Sequence, residues 1–235
     1  KVENIQILKD AHKLYAEAEI EKNYSDAVAA FNAEEFTQAK EMFIQLGNYK
    51  DSVARAEESQ KAAYYVEATL LFDKAEYAVA ADTFQKALGY KDTETKLFDT
   101  GIALLNIGDY TKAIEVMQNC SDTATEQYIE YAQGAISFAE GNYEEAQLHF
   151  EAAVDVNDAV VMADNCVYLQ AEANFDKGYL NTAKSLYTTL PTDFSYNGGK
   201  SVQERLDSLE KFSKFVELCG IWQTSRIYRK IFATR

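Results

Sequence analysis

The sequence predicts an all-α protein, a solenoid of antiparallel helix pairs, and three observations carry that prediction. A seven-position pattern of aromatic, small and bulky residues recurs five times with fixed internal offsets. Its apolar positions lie three and four residues apart, the spacing of one helix face. The 235-residue chain holds a single proline, so the residue that most strongly breaks helices is nearly absent.

The first column reads Tyr24, Tyr65, Phe98, Tyr131 and Tyr168, which places the unit starts 41, 33, 33 and 37 residues apart. The second column is small: Ala27, Ala68, Gly101, Gly134 and Ala171. The third is bulky, with Phe31, Phe72, Leu105, Phe138 and Phe175, and a short turn follows. The second helix then supplies Phe36, Tyr77, Tyr110, Tyr143 and Leu180, followed by alanine at 39, 80, 113, 146 and 183. Phe43, Phe84, Met117, Phe150 and Tyr187 come next, and Leu46, Ala87, Cys120, Ala153 and Leu190 close the units. A small residue within an apolar face lets two helix backbones approach, so the alanine column is a packing requirement. Repeats of this period are stacked supersecondary units rather than one globular core.

The segments GDYTKAIEVMQNC from Gly108 and GNYEEAQLHFEAA from Gly141, with the small Gly101 and Gly134, resemble the tetratricopeptide repeat. The similarity covers most of residues 24–190. It departs from the family in lacking a Trp or Leu-Gly pair in the first helices and the proline that commonly ends a unit. Two units carry an added turn, LGNYKDS from Leu46 and LGYKDTE from Leu88, of a kind associated with divergent bacterial members. The resemblance implies a right-handed α-α superhelix whose first helices line a concave groove for peptides or partner helices. The departures leave the groove register open by about one residue.

Four segments follow from the pattern. In residues 1–23, Leu8, Ala11, Tyr15 and Ala18 reproduce second-helix spacing and predict a half-repeat or capping helix. Residues 24–190 hold the five pairs. Pro191 and Gly198-Gly199 then break the pattern, and 191–219 read as a capping helix or the start of a sixth repeat, with Val202, Leu206, Leu209, Phe212, Phe215 and Val216 spaced for burial. Residues 220–235 form a basic tail carrying Arg226, Arg229, Lys230 and Arg235, read as the possible start of a further domain. Helix starts are marked by Asp51 and Asp92, and by the capping-box pairs Thr123/Glu126 and Ser201/Glu204.

The net charge of −15 argues against nucleic acid, which needs a clustered basic surface, and a charged partner is expected to be basic. Acids such as Glu34, Glu35, Glu144 and Glu145 equally serve solubility. Cys120, Cys166 and Cys219 are no disulfide framework, and Cys120 falls in a packing column as a buried thiol. No apolar run reaches the length of a membrane span. These features fit a soluble fragment, cytoplasmic or the soluble part of a membrane-anchored or exported bacterial protein.

Catalytic and metal motifs fail on inspection. His12 and His149 lie in different units without HExxH, and the cysteines form no CxxC. NGGKS near Gly199 lacks the first glycine of a phosphate loop, where Phe194 stands. DVND from Asp155 starts like a calcium loop, yet Ala159 and Val160 stand where a ligand and a glycine are needed and Cys166 where the bidentate Glu should be. The glycosylation patterns at Asn23 and Asn119 overlap packing residues. No enzyme activity, cofactor or metal is expected. The expected function is a protein-interaction scaffold, with a spacer or self-association module positioning a flanking domain as the alternative. Candidate groove residues are Tyr24, Tyr65, Tyr131 and Tyr168, which either face the groove or pack only within the stack.

Overall fold

The computed structural model describes residues 2–120 and 124–232, with side chains described over 4–120 and 124–219. Among the described residues there are eleven helices and no strand. They fall into two compact units, residues 1–125 and 126–235. The first holds α1 (Val2–Asn32), α2 (Phe36–Leu46), α3 (Ser52–Asp73), α4 (Tyr77–Lys86), α5 (Thr93–Asn106) and α6 (Tyr110–Met117). The second holds α7 (Thr125–Ala139), α8 (Tyr143–Ala152), α9 (Ala159–Asp176), α10 (Leu180–Tyr187) and α11 (Val202–Phe232). Within each unit consecutive helices pack on one another, as an α-solenoid requires.

Each pair closes through the same turn. Glu34, Ala75, Gly108, Gly141 and Gly178 adopt positive φ one residue before the second helix's N-cap. The next amide donates back to the first helix, from Glu35 to Ala30, Glu76 to Leu71, Asp109 to Leu104, Asn142 to Ser137 and Tyr179 to Asn174. This is the Schellman closure, which satisfies carbonyls the helix end would otherwise leave unpaired. Three turns place glycine at the left-handed position; Glu34 and Ala75 hold it with a side chain, at a steric cost of roughly 1 kcal/mol.

The repeat columns form the core. The five alanines of the second helices are inaccessible to solvent, as are Phe43, Phe84, Met117, Phe150 and Tyr187. Across the turns Phe31 meets Phe36, Phe72 meets Tyr77 and Phe138 meets Tyr143 edge to face. A Cβ on Gly134 would stand 2.9 Å from Cδ1 of Phe150, and one on Gly101 2.7 Å from Cγ of Met117. The ring uses that space: Tyr131 and Phe150 centroids are 5.5 Å apart, against 5.9 Å for the Tyr24–Phe43 and Tyr65–Phe84 pairs beside alanine.

The first and last helices are the longest, 31 residues each. No break separates residues 1–23 from the first pair, because α1 runs unbroken through both. Its residues 4–19 are exposed, including Ile5, Ile7, Leu8, Leu14 and Tyr15. Among the described residues of α11 only Val202 and Leu209 are buried and Leu206 is partly so; Phe212, Phe215 and Val216, whose spacing suggests burial, are exposed, because α10, the helix α11 packs on, begins only at Leu180, which lies beside Phe212 and Val216. The helical backbone of α11 also crosses position 220 without interruption. The side chains of the basic tail lie outside the described residues, as does the Thr123 cap.

The capping box at Ser201 is present. Its Oγ accepts from the Glu204 amide at 3.2 Å, and the Glu204 carboxylate accepts from the Ser201 amide at 2.8 Å. Asp51 and Asp92 stand at N-cap positions without a side-chain bond to the helix amides. Their backbones (φ −99°, ψ 19° and φ −95°, ψ 30°) lie outside the extended region that aims a cap inward, and their carboxylates are used elsewhere.

Candidate functional site

All four candidate tyrosines make contacts within the stack, Tyr131 and Tyr168 buried and Tyr24 and Tyr65 partly so. The Tyr24 hydroxyl donates to Asp51, Tyr65 to Asp92 at 2.6 Å and Tyr131 to Asp158 at 2.6 Å, each across 27 residues. Tyr168 donates instead to the Lys200 carbonyl at 2.6 Å, where the loop after the fifth pair has a different course. Each ring also meets the sixth-column aromatic of its own pair edge to face. Tyr131 and Tyr168 are 8% and 4% exposed, so neither ring offers a face to a ligand. Ring packing and hydroxyl satisfaction both make these four tyrosines links between a pair and the segment that follows it.

The added turns complete two of these links. Tyr49 packs on Tyr24 and Tyr90 on Tyr65, at 5.9 and 5.7 Å between ring centroids. Lys50 and Lys91, both at positive φ, lay their ammonium groups over the rings, 4.6 Å from Tyr24 and 5.4 Å from Tyr65. The DVND segment is the same device with other residues: Val156 is buried, Asn157 takes the positive φ and Asp158 accepts the hydroxyl. The hydrogen bond to Asp92 raises the Tyr65 phenol to about 12 and lowers the Asp92 carboxyl; the Tyr24 hydroxyl does the same to Asp51.

The open surface lies beside this seam. Helices α3, α9 and α5 are 22, 18 and 14 residues long, yet each ends eight residues after its first-column residue. The surplus of α3 therefore precedes Tyr65 and overhangs α2. An apolar cleft of about 530 Å³ opens between the overhang and α2. Phe43 and Ala56 form its floor, and Ile44 and Val53, 57% and 52% exposed, form its walls. Lys40, Lys61 and Lys86 stand at the rim with Gln60 and a single acid, Glu57.

The charge at this cleft is opposite to that of the chain. The Lys13, Lys22, Lys50, Lys112 and Lys214 ammonium groups each lie within 4 Å of a carboxylate. Lys40, Lys61 and Lys86 have no such partner, as is true of most lysines among the described residues. Lys40 donates to the Gln60 side-chain oxygen, and Lys86 lies 5.5 Å from the Tyr64 ring centroid. In sequence these residues belong to no repeat column. Subtracting the columns leaves Ile44 and Val53 among several exposed apolar residues, such as Val66, Leu70, Val79 and Leu148, so no sequence signal marks these two.

The titratable groups singled out in the sequence have ordinary structural places. His149 Nδ1 is 2.7 Å from Glu130, and His12 is on the exposed part of α1. The buried thiol is Cys166, pushed up to about 12 chiefly by desolvation; Cys120 is only half-buried, with its Sγ 3.5 Å from the Val116 carbonyl oxygen. Among the described residues no group of three His, Cys, Asp or Glu converges to hold a metal, and no helix is long and apolar enough to cross a membrane. A broader depression of about 760 Å³ in the second unit mixes Glu144, Glu145, Gln170 and Lys177 with few apolar groups.

No family model, curated protein or solved structure matches the chain. Its architecture defines the class: an all-helical protein of consecutively packed helix pairs.

Proposed function

We propose that this chain is a protein-interaction scaffold, a right-handed tetratricopeptide-like solenoid, and that it holds a segment of a partner in the cleft between α2 and α3. The observation that carries the reading is the cleft: a concave apolar surface with half-exposed Ile44 and Val53, outside the packing columns. Clustered apolar surface of this kind marks interaction sites, and large side chains seated on such a floor dominate binding energy. No catalysis or cofactor forms part of the proposal.

The test is a selection of random 16-residue peptides displayed on phage, run on the parent and on an Ile44→Asp/Val53→Asp variant. Both positions are exposed, so the variant is expected to keep the parent's circular dichroism. Enriched peptides that bind the parent and not the folded variant support the reading. No enrichment, or equal binding to both, refutes it.

A second reading, self-association or spacing, draws on the exposed Ile5, Ile7, Leu8, Leu14 and Tyr15 of α1. Sedimentation equilibrium of the parent beside a Leu8→Glu/Tyr15→Glu variant tests it. A parent that is monomeric at tens of micromolar removes self-association.

A further inference from the structure

We infer that the partner segment taken by the α2–α3 cleft is a short acidic peptide carrying two or more large apolar side chains. The inference rests on the scaffold reading and adds the chemistry of the ligand.

The argument begins with the sign of the rim. In a chain of 38 acidic and 23 basic residues, a cleft lined by three lysines and one acid runs against the overall charge. Lys40, Lys61 and Lys86 face one apolar cleft with Glu57 as its lone acid. Each comes from a different helix, α2, α3 and α4, so the fold brings together what the sequence scatters. Lys61 reaches over the turn at Gly89, where a Cβ would lie 3.6 Å from its Nζ. Lys40 is held by a neutral amide, a partner that an incoming carboxylate outcompetes because charge-assisted hydrogen bonds are the stronger.

The floor adds the second requirement. Phe43, Ala56, Ile44 and Val53 offer nothing to a purely polar ligand, and a ligand covering them lowers the local dielectric around the lysines. A segment that pairs apolar side chains with flanking carboxylates satisfies both. Shape favours a peptide over a small amphiphile. Small-molecule sites enclose most of their ligand, whereas the walls of this cleft are more than half exposed. A chain lying along the cleft covers the walls and reaches all three lysines.

The peptides enriched in the phage selection test this directly. The expected pool has more Asp and Glu than the input library together with at least two Leu, Ile, Phe or Trp. A synthetic copy of the top clone, followed by fluorescence polarisation, is expected to bind about tenfold more weakly to Lys61→Glu and to lose most affinity between 50 and 300 mM NaCl. Lys61→Gln, which removes the charge and keeps a long side chain, should fall between parent and Lys61→Glu.

Enriched peptides that are neutral or basic, or that bind Lys61→Glu as well as the parent, overturn the acidic-ligand inference and leave the scaffold reading standing. An absence of enriched peptides removes both. Sodium dodecanoate is titrated in parallel against the methyl resonances of Ile44 and Val53. Saturable shifts at micromolar concentration, with displacement of the peptide, assign the cleft to an anionic amphiphile and overturn the peptide.

Discussion

The hydrogen bond from Tyr65 to Asp92 sets a definite expectation for stability. Two substitutions test it, Tyr65→Phe and Asp92→Asn, alone and combined. A phenol raised from 10 to about 12 places an upper bound of about 2.7 kcal/mol on the bond. Asp92 is exposed, and solvent around it reduces the expected coupling to about 1 kcal/mol. Urea unfolding followed by circular dichroism at neutral pH and moderate salt measures the cycle. The pH dependence follows from the two directions. The Tyr65 contribution is complete below pH 10 and is lost as the pH rises towards 12, since the folded state favours the neutral phenol. The Asp92 contribution is present above the ordinary carboxylate range and disappears as acid protonates the folded carboxyl. Tyr65→Phe should therefore flatten the alkaline limb and leave one fewer phenol titrating late in the absorbance at 295 nm. A coupling indistinguishable from zero, with an unchanged alkaline limb, would refute the link as an energetic element.

Three other substitutions probe the packing, each read by thermal or urea unfolding. Ala75→Gly relieves the left-handed turn before α4 and should stabilise by up to about 1 kcal/mol; destabilisation would show that the turn is not strained. Gly134→Ala adds a methyl group 2.9 Å from the fully buried Phe150, and overpacking of about 1–3 kcal/mol should exceed the helix-propensity gain of up to about 1 kcal/mol. A stabilised Gly134→Ala would mean that Phe150 retreats freely. Glu172→Gln removes the anion that receives both the Tyr187 hydroxyl and Arg205, each group about four-fifths buried or more, and should cost about 2 kcal/mol; no measurable loss would identify the pair as incidental.

The seam was legible in the sequence because it repeats. A fixed offset between a tyrosine, a small residue and an aromatic has one explanation, a shared face, and the structure buries the sixth-column aromatics and the alanines completely. The inner turns were legible in part: glycine marks three, whereas Glu34 and Ala75 hold the same conformation without it. The role of the tyrosine hydroxyls was not legible, because Asp51 and Asp92 also look like ordinary N-caps. Backbone angles alone decide between the two uses. The cleft was hidden for a different reason. Lys40, Lys61 and Lys86 belong to three helices, and their convergence depends on an overhang that no local pattern announces.

The 27-residue link also divides fixed length from variable length. Beyond the accepting aspartate, 14 residues lead from Asp51 to Tyr65, 6 from Asp92 to Phe98 and 10 from Asp158 to Tyr168. These intervals differ by fours, close to whole helical turns of 3.6 residues. The protein thus behaves as a gauge joined to an adjustable arm. A turn inserted between an aspartate and the following first-column residue lengthens the arm while each tyrosine still meets its acid. New surface can be acquired at that one place without renegotiating the core, and the cleft on α3 stands on the longest arm in the chain.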